Sequence, residues 1–377
     1  MKVLTTQSAF SALLGVVKDA VPTSTSIPIL DCVRLESQSG ELHAETTDLD
    51  VRIQSSCELL DTEADGAVAV PFARLYKTVR ALPDGRLTIT ADDEHHVTID
   101  APSGVYRLMG YSVDEWPDFP LLESTSTITV GASTLLDAIE KTSFAMSSDA
   151  LRPAMQGLCI EYDEQLRCVA TDGHRLSRIV TDTDEPEGST IDETILPDRA
   201  VNAAEKVLKS VGSRSTVTIE TDDRSARIHT TAGTIWTRLV AETYPDYESV
   251  IPSDNGKTMT IDRADMLNAV KRVGLYSSEM TSQIRLSIAR NAVTIEAEDV
   301  ERSSEARETV ACSYDGEPMQ IGFNAGYLTD VLDALDADEV VFELGAPNRA
   351  AIARPSDPPD GEDVLMLVMP VMLNSYA

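Results

Sequence analysis

A threefold internal repeat limits what this chain can fold into more than any other feature of its 377 residues. The stretch Thr127–Thr142 (TITVGASTLLDAIEKT) has one counterpart near the N-terminus, VLTTQSAFSALLGVV from Val3, and another, TIDRADMLNAVKRV, from Thr260. Self-similarity at a fixed period is the mark of one structural unit used several times. Superposition aligns Phe10 with Leu135 and Met266, and Leu14 with Ile139 and Val270. Each copy reads as a short alternating strand followed by a helix with apolar residues at i and i+4. A second motif repeats at the same period: Val70–Leu75, Leu196–Val201 and Gly322–Tyr327, each preceded and followed by a β-patterned run. The remaining segments of each third, such as 42–46, 97–99, 159–162 and 226–230, are short β-patterned runs broken by turn residues. The expected fold is α+β: three tandem domains, 1–123, 124–253 and 254–377, each with two helices backed by antiparallel sheets.

Three units of this size each reach the usual range for a domain with its own core. No apolar run approaches the ~18 residues of a membrane span, and Met1-Lys2-Val3 leads directly into the first repeat without an apolar leader. The expectation is a cytoplasmic protein with no membrane partner. The five cysteines (Cys32, Cys57, Cys159, Cys168, Cys312) form no CxxC pair and mostly fall in strand-like runs, which points to reduced core thiols.

The charge distribution is more informative than its sum. Sixty-three acidic against 31 basic residues leave a net charge of −32, which by itself argues against a nucleic-acid partner. The six predicted helices, 8–21, 72–82, 131–143, 198–211, 262–273 and 324–335, nevertheless hold eleven basic and nine acidic residues. In 198–211, Arg199, Asn202, Lys206 and Lys209 share one face, opposite Val201, Ala204 and Leu208, while Arg74, Lys77 and Arg80 lie off the Leu75–Val79–Leu82 stripe. These basic faces are candidate DNA-facing surfaces, although the last helix carries only acids. The overall acidity fits a protein working at high internal salt, as in a halophile.

Two joints carry an aromatic-Pro-Asp-aromatic signature, Trp116-Pro117-Asp118-Phe119 and Tyr244-Pro245-Asp246-Tyr247, followed by polar connectors at 123–127 and 253–257. The third repeat ends instead in an apolar run, Val364–Leu373, expected to finish as an edge segment because Pro370 cannot donate to a ladder. The run Ala170-Thr171-Asp172-Gly173-His174-Arg175-Leu176 offers an Asp/His pair. No nucleophile elbow, HExxH, P-loop or GxGxxG accompanies it, and Asp-Gly between strand-like runs signals a hairpin. The motif has no evident counterpart in the other repeats. His95 and His96 are expected on a strand edge facing opposite ways, which makes a metal site there unlikely.

ATDGHRL in the middle third, the early Ile27-Pro28-Ile29-Leu30 and Thr47-Asp48-Leu49-Asp50, Tyr244-Pro245-Asp246-Tyr247, the Met369-Pro370 dipeptide in an apolar tail and the triplication together resemble the bacterial DNA polymerase III beta subunits, the replicative sliding clamps. The resemblance covers essentially the whole chain. It implies a non-enzymatic processivity factor: a head-to-tail homodimer forming a ring around duplex DNA without reading its sequence. Its further partners would be the clamp loader, the polymerase III alpha subunit and other proteins with clamp-binding motifs, with no cofactor and no metal. The implied partner-peptide groove is Met155, Thr171, Gly173, His174, Arg175, Leu176, Pro245, Val250, Leu367, Met369, Pro370, Val371 and Met372. DNA would face Arg74, Lys77, Arg80, Arg152, Arg199, Lys206 and Lys209, and Tyr106, Leu108, Leu275 and Tyr276 would form the dimer seam.

The chain departs from the family pattern in places. Ser249 and Met372 stand where arginines are common, and Asn374-Ser375-Tyr376-Ala377 extends the tail. Ser24, Ala73, Asp149, Pro153 and Ala154 occupy positions that touch DNA in the family. The competing readings are a hydrolase built on Asp172 and His174, and a three-domain scaffold unrelated to DNA.

Overall fold

The computed structural model describes residues 1–119, 122–123, 125–183 and 190–373. Pro120 and Ser124 of the first joint and the extension 374–377 lie outside them. The six helices are α1 (Gln7–Val17), α2 (Phe72–Ala81), α3 (Ala132–Thr142), α4 (Asp198–Ser210), α5 (Arg263–Gly274) and α6 (Ala325–Ala334). All six positions aligned by the repeat, Phe10, Leu135, Met266, Leu14, Ile139 and Val270, are fully buried. The register read from the sequence is thus the register of the cores. α1 is shorter than its predicted span: Val17 passes into a 3₁₀ turn, Lys18–Ala20, and Val21 is extended. Pro22 disfavours the helical region for the residue before it, and so ends the helix. The helices that open the first and third repeats are capped by side chains, Thr6 accepting from the Ala9 amide and Asp262 from that of Asp265; Asn324 caps α6 in the same way.

Two compact units share out the chain. The first comprises 1–136, 190–191 and 196–239; the second comprises 137–183, 192–195 and the chain from Val240 onward, so the middle repeat contributes to both. The first unit holds a five-stranded sheet, ordered 61–64, 2–6, 86–91, 96–101, 104–109, and an eight-stranded sheet, ordered 126–131, 216–221, 225–229, 234–238, 51–58, 41–47, 32–38, 66–71. In the latter, Thr234–Arg238 of the middle repeat pairs antiparallel with Val51–Glu58 of the first, Ile235 opposite Ile53. One sheet therefore runs across two repeats, and its facing edges are consumed by pairing.

The second unit repeats the device. Its nine-stranded sheet runs 192–195 (the part of the strand 191–197 that belongs to this unit), 157–163, 165–171, 175–182, 362–368, 351–355, 339–344, 257–262, 313–314, and a four-stranded sheet runs 304–311, 292–299, 283–289, 319–324. Here Arg175–Asp182 pairs with Glu362–Val368, which sets Leu176 opposite Leu367. This revises the expectation for the tail. Leu367 and Val368 are buried in an interior strand, and only the segment beyond Val368 leaves the sheet. That segment crosses to the strand 319–324, where the Val371 amide donates to the Gly322 carbonyl at 2.9 Å. A side chain at 322 would put its Cβ 2.6 Å from the Val371 oxygen, so the crossing requires glycine.

The histidine pair also differs from expectation. His95 sits in a turn with φ 65°, and only His96 opens a strand, because Asp92 accepts from the Glu94 and His96 amides and closes the turn between them.

Candidate functional site

The second unit gathers the chemistry around the hairpin turn at 171–175. The Thr171 hydroxyl donates to the Arg175 carbonyl at 2.7 Å and accepts from the Gly173 amide at 3.1 Å. Asp172 Oδ1 accepts from the His174 and Arg175 amides at 2.8 and 2.9 Å, and Gly173 takes φ 87°. The Thr171 hydroxyl and Asp172 Oδ1 are thus both engaged in closing the turn. The hydrolase reading fails on this geometry, since Asp172 orients backbone amides and the Arg175 guanidinium, not an imidazole.

The repeat does carry a counterpart of this motif. In the first unit Thr47 donates to the Val51 carbonyl, Asp48 Oδ1 accepts from the Asp50 and Val51 amides at 3.0 and 2.7 Å, and Leu49 takes φ 82°. Asp299 accepts from the Glu301 and Arg302 amides in the third repeat. The full turn is therefore a structural device of the first two repeats, and the third keeps its aspartate acceptor. Its middle copy differs in what surrounds it.

Arg175 anchors that surrounding. Its guanidinium pairs with Asp172 at 3.1 Å and with Asp330 of α6, and it lies 4.9 Å from the Tyr327 ring centroid and 5.4 Å from that of Phe144. With 12% of its side chain exposed, it positions the turn against α6 and has little freedom to meet a ligand by charge. Asp330 and Asp333, the acids that made α6 look unsuited to a basic surface, are both spent inside the unit, on Arg175 and Lys271.

Beside the turn lies a cleft of about 570 Å³. Nine of the thirteen residues assigned to the groove line it: Met155, Thr171, Gly173, Arg175, Leu176, Pro245, Val250, Leu367 and Met369. Its floor belongs to an apolar cluster in which Leu176 and Leu367 pack with Val169, Tyr244, Tyr247 and Ile352. Tyr244 and Tyr247 meet edge to face at 6.3 Å. Burial first, then the Glu161 carboxylate, pushes the Tyr247 hydroxyl up to about 12, so it stays protonated and neutral. The other four groove residues lie outside this cleft. His174 stacks against Tyr327 at 5.9 Å while its carbonyl accepts from the Met369 amide, Pro370 and Val371 are half-buried, and Met372 is 76% exposed.

The sequence reading missed part of the cleft wall. Asp246, Tyr247, Ser249 and 251–254 line it, as do Asn348, Arg349 and Ala350. Of the stretch 246–254 the sequence assigns only Val250 to the groove; Asp246 and Tyr247 read as a domain joint and 253–254 as the start of a polar connector. Asn255 shows why it is more: its amide donates to the Glu343 and Ala350 carbonyls, both at 3.0 Å, which holds the connector against the loop at 348–350. Arg349 and Asp254 form an ion pair on that wall, and the guanidinium holds the Asp254 carboxyl below its ordinary value. No motif marks 348–350.

The remaining candidates fall elsewhere. Arg74, Lys77 and Arg80 are exposed on α2, Arg80 lying over the Tyr76 ring at 5.6 Å. On α4, Arg199, Lys206 and Lys209 share the exposed face as expected, opposite buried Val201, Ala204 and Leu208. Each of these three is engaged with an acid: Arg199 with Asp48, Lys206 with Asp19 at 2.7 Å, Lys209 with Glu205 at 2.5 Å. Arg152 pairs with Asp149 at 3.5 Å. Tyr106 and Leu108 are half-buried on one face of the edge strand Gly104–Met109, whose other face exposes Val105 and Met109. Leu275, 82% exposed, and Tyr276 follow α5.

Three models of the DNA polymerase III beta subunit match in series: the N-terminal domain over residues 1–120, the central domain over 129–246 and the C-terminal domain over 248–371. The chain is also 32% identical over 371 residues to the beta sliding clamp of Caulobacter vibrioides, covering 95% of this chain and 97% of that protein. The chain belongs to the DNA polymerase III beta subunit family. The beta sliding clamp of Synechococcus elongatus is 28% identical, with full coverage of both chains. Among solved structures, the sliding clamp of Bartonella birtlesii bound to griselimycin superposes with a TM-score of 0.92 at 29% identity, covering 99% of this chain and 100% of that one. The DNA polymerase III subunit beta of Pseudomonas aeruginosa superposes with a TM-score of 0.90 at 28% identity, again over 99% and 100%.

As a sliding clamp, the chain is a non-catalytic accessory subunit of DNA polymerase III and a processivity factor whose partners are DNA and polymerase. That accounts for a motif-bearing turn with no nucleophile. A clamp acts by linkage to DNA, which needs no reactive group. None of the helices described is long and apolar enough to cross a membrane.

Proposed function

We propose that two copies of this chain join head to tail around duplex DNA in the cytoplasm, and that the cleft beside the 171–175 turn receives short linear peptides of partner proteins. The partners in this reading are the clamp loader, the polymerase III alpha subunit and other proteins with clamp-binding motifs. The three successive domains of the proposal are 1–123, 124–253 and 254–377. The observation that carries the peptide reading is the cleft itself: an apolar floor, about 570 Å³ of space, and a rim of a few polar groups. Such a cleft suits one or two apolar anchors of an extended segment. Met369 and Met372 beside it supply unbranched, adaptable side chains.

In the same proposal Arg74, Lys77, Arg80, Arg152, Arg199, Lys206 and Lys209 face DNA. Arg74 and Lys77 have no ion-pair partner among the described residues, whereas the α4 cations must exchange Asp48, Asp19 and Glu205 for phosphate. Such contacts are weak and mobile, which suits sliding. Tyr106, Leu108, Leu275 and Tyr276 form the seam. The test is truncation after Val368, which leaves the interior strand whole and removes the tail. A fluorescent peptide from a polymerase III alpha subunit should lose binding by anisotropy while the dimer persists in sedimentation. Retention of full affinity would place the peptide elsewhere.

A further inference from the structure

The charges on the cleft wall say which peptides it prefers. The wall segment Pro245–Asp254 carries Asp246, Glu248 and Asp254 and contains no lysine or arginine. Asp246 is exposed and has no ion pair among the described residues; its only contacts are with the Ser249 amide at 3.3 Å and, through its carbonyl, the Ser249 hydroxyl. Asp254 is 64% exposed and shares Arg349 with solvent. The other cation of the lining, Arg175, is neutralised by Asp172 and Asp330 and covered by two aromatic rings. Arg152, beside the turn, is paired with Asp149. Ser249, on the same wall, brings no charge. Asp246 is thus the one carboxylate of the lining without a cation partner among the described residues, beside an apolar floor, and a bound peptide that excludes water strengthens whatever charge pairing it makes there.

We propose that this cleft selects peptides carrying a lysine or arginine beside their apolar anchors, with Asp246 and Asp254 as the residues that read that charge. The proposal rests on the peptide-binding reading of the cleft and adds its specificity. A cation at the 246 side meets an unpaired carboxylate; one at the 254 side competes with Arg349 for Asp254. An acidic flank meets repulsion at the 246 side and, at the 254 side, an Arg349 whose charge Asp254 already balances. The whole protein is acidic, so a general attraction for cations must be separated from a local one, and the two differ in which substitutions abolish them.

Three synthetic peptides with one shared centre of leucine and phenylalanine, and with lysine, alanine or glutamate at the flanks, distinguish the cases by fluorescence anisotropy on the full-length protein. One exposed pair contributes up to about fivefold in affinity, so the lysine peptide should bind roughly tenfold more tightly than the glutamate peptide at ~0.15 M salt. Asp246→Asn and Asp254→Asn together should remove that preference, while Glu94→Gln, an 84% exposed acid in the other unit, should leave it intact. Equal binding of all three peptides would overturn the specificity while leaving the cleft reading standing. A preference that survives both cleft substitutions would assign it to the protein's overall field and overturn the proposal. Binding that is indifferent to Leu176→Ala and Met369→Ala would instead remove the cleft reading itself.

Discussion

Replacing Asp172 with alanine tests the link between the repeated turn and the cleft. The carboxylate accepts two backbone hydrogen bonds at 2.8 and 2.9 Å and a third from Arg175 at 3.1 Å, with 13% of its side chain exposed. Hydrogen bonds to a charged group contribute about 1.5–3 kcal/mol each, but these three are cooperative and water reaches the edge of the site, so a total near 3 kcal/mol is expected. Asp172→Asn keeps an acceptor at Oδ1 and gives up the charge, and should cost about 1 kcal/mol. The repeat supplies an internal control. Asp48 makes the same two backbone bonds and an ion pair with Arg199, so Asp48→Ala should cost a similar ~3 kcal/mol. Hydrogen exchange followed by mass spectrometry would read both. Amides of 165–182 should exchange on the order of a hundredfold faster in Asp172→Ala, and those of 41–58 in Asp48→Ala. Only Asp172→Ala should weaken a cleft-binding peptide, because Thr171 and Gly173 line the cleft. Unchanged exchange in Asp172→Ala would refute the account of the turn. Equal loss of peptide binding in Asp48→Ala would refute its link to the cleft.

Further outcomes are expected. If the proposed seam buries the exposed Leu275, Leu275→Asp should weaken the dimer by about a hundredfold, since it loses that burial and asks a carboxylate to desolvate; sedimentation velocity would reveal monomers. The melting temperature should rise between about 0.05 M and about 2 M KCl as self-repulsion of the −32 charge is screened, and a flat response would sink that reading. Burial pushes the Cys168 thiol up to about 12 from an ordinary value of 9.0. Below 9 the thiol is protonated in both states; above 9 the unfolded chain loses that proton and the folded one keeps it, so stability falls by about 1.4 kcal/mol per pH unit toward 12. Cys168→Ala should flatten the alkaline limb of a urea-midpoint profile against pH.

Much of the cleft was legible in advance because Thr171, Gly173, Arg175 and Leu176 lie together in one short motif and the resemblance it carries points to the others. What that reading could not supply was the rest of the wall around Val250, at 246–254, and the wall at 348–350, because a connector and a loop announce flexibility or a joint by composition and say nothing about what they pack against. The counterpart of the 171–175 turn also escaped notice. Thr47-Asp48-Leu49-Asp50 shares only two residue types in order with Thr171-Asp172-Gly173-His174, too few to stand out, although the hydrogen bonds are the same.

By itself, the sequence determined the repeat and its register, the six helices and the residues each one buries. These follow from local periodicity, in which a helix face or a strand face is written every three to four or every two residues, and from local stops such as Pro22. Only the tertiary structure decided which strands meet. Ile235 opposite Ile53 and Leu176 opposite Leu367 join segments nearly two hundred residues apart, and any apolar alternating strand would satisfy the same pattern. It also decided that Arg175 is an anchor held by Asp172, Asp330 and two rings, and that Arg349 and Asp254 share a wall with Met369. Long-range partners leave no periodic trace in the chain, because the free energy that pairs them depends on three-dimensional complementarity.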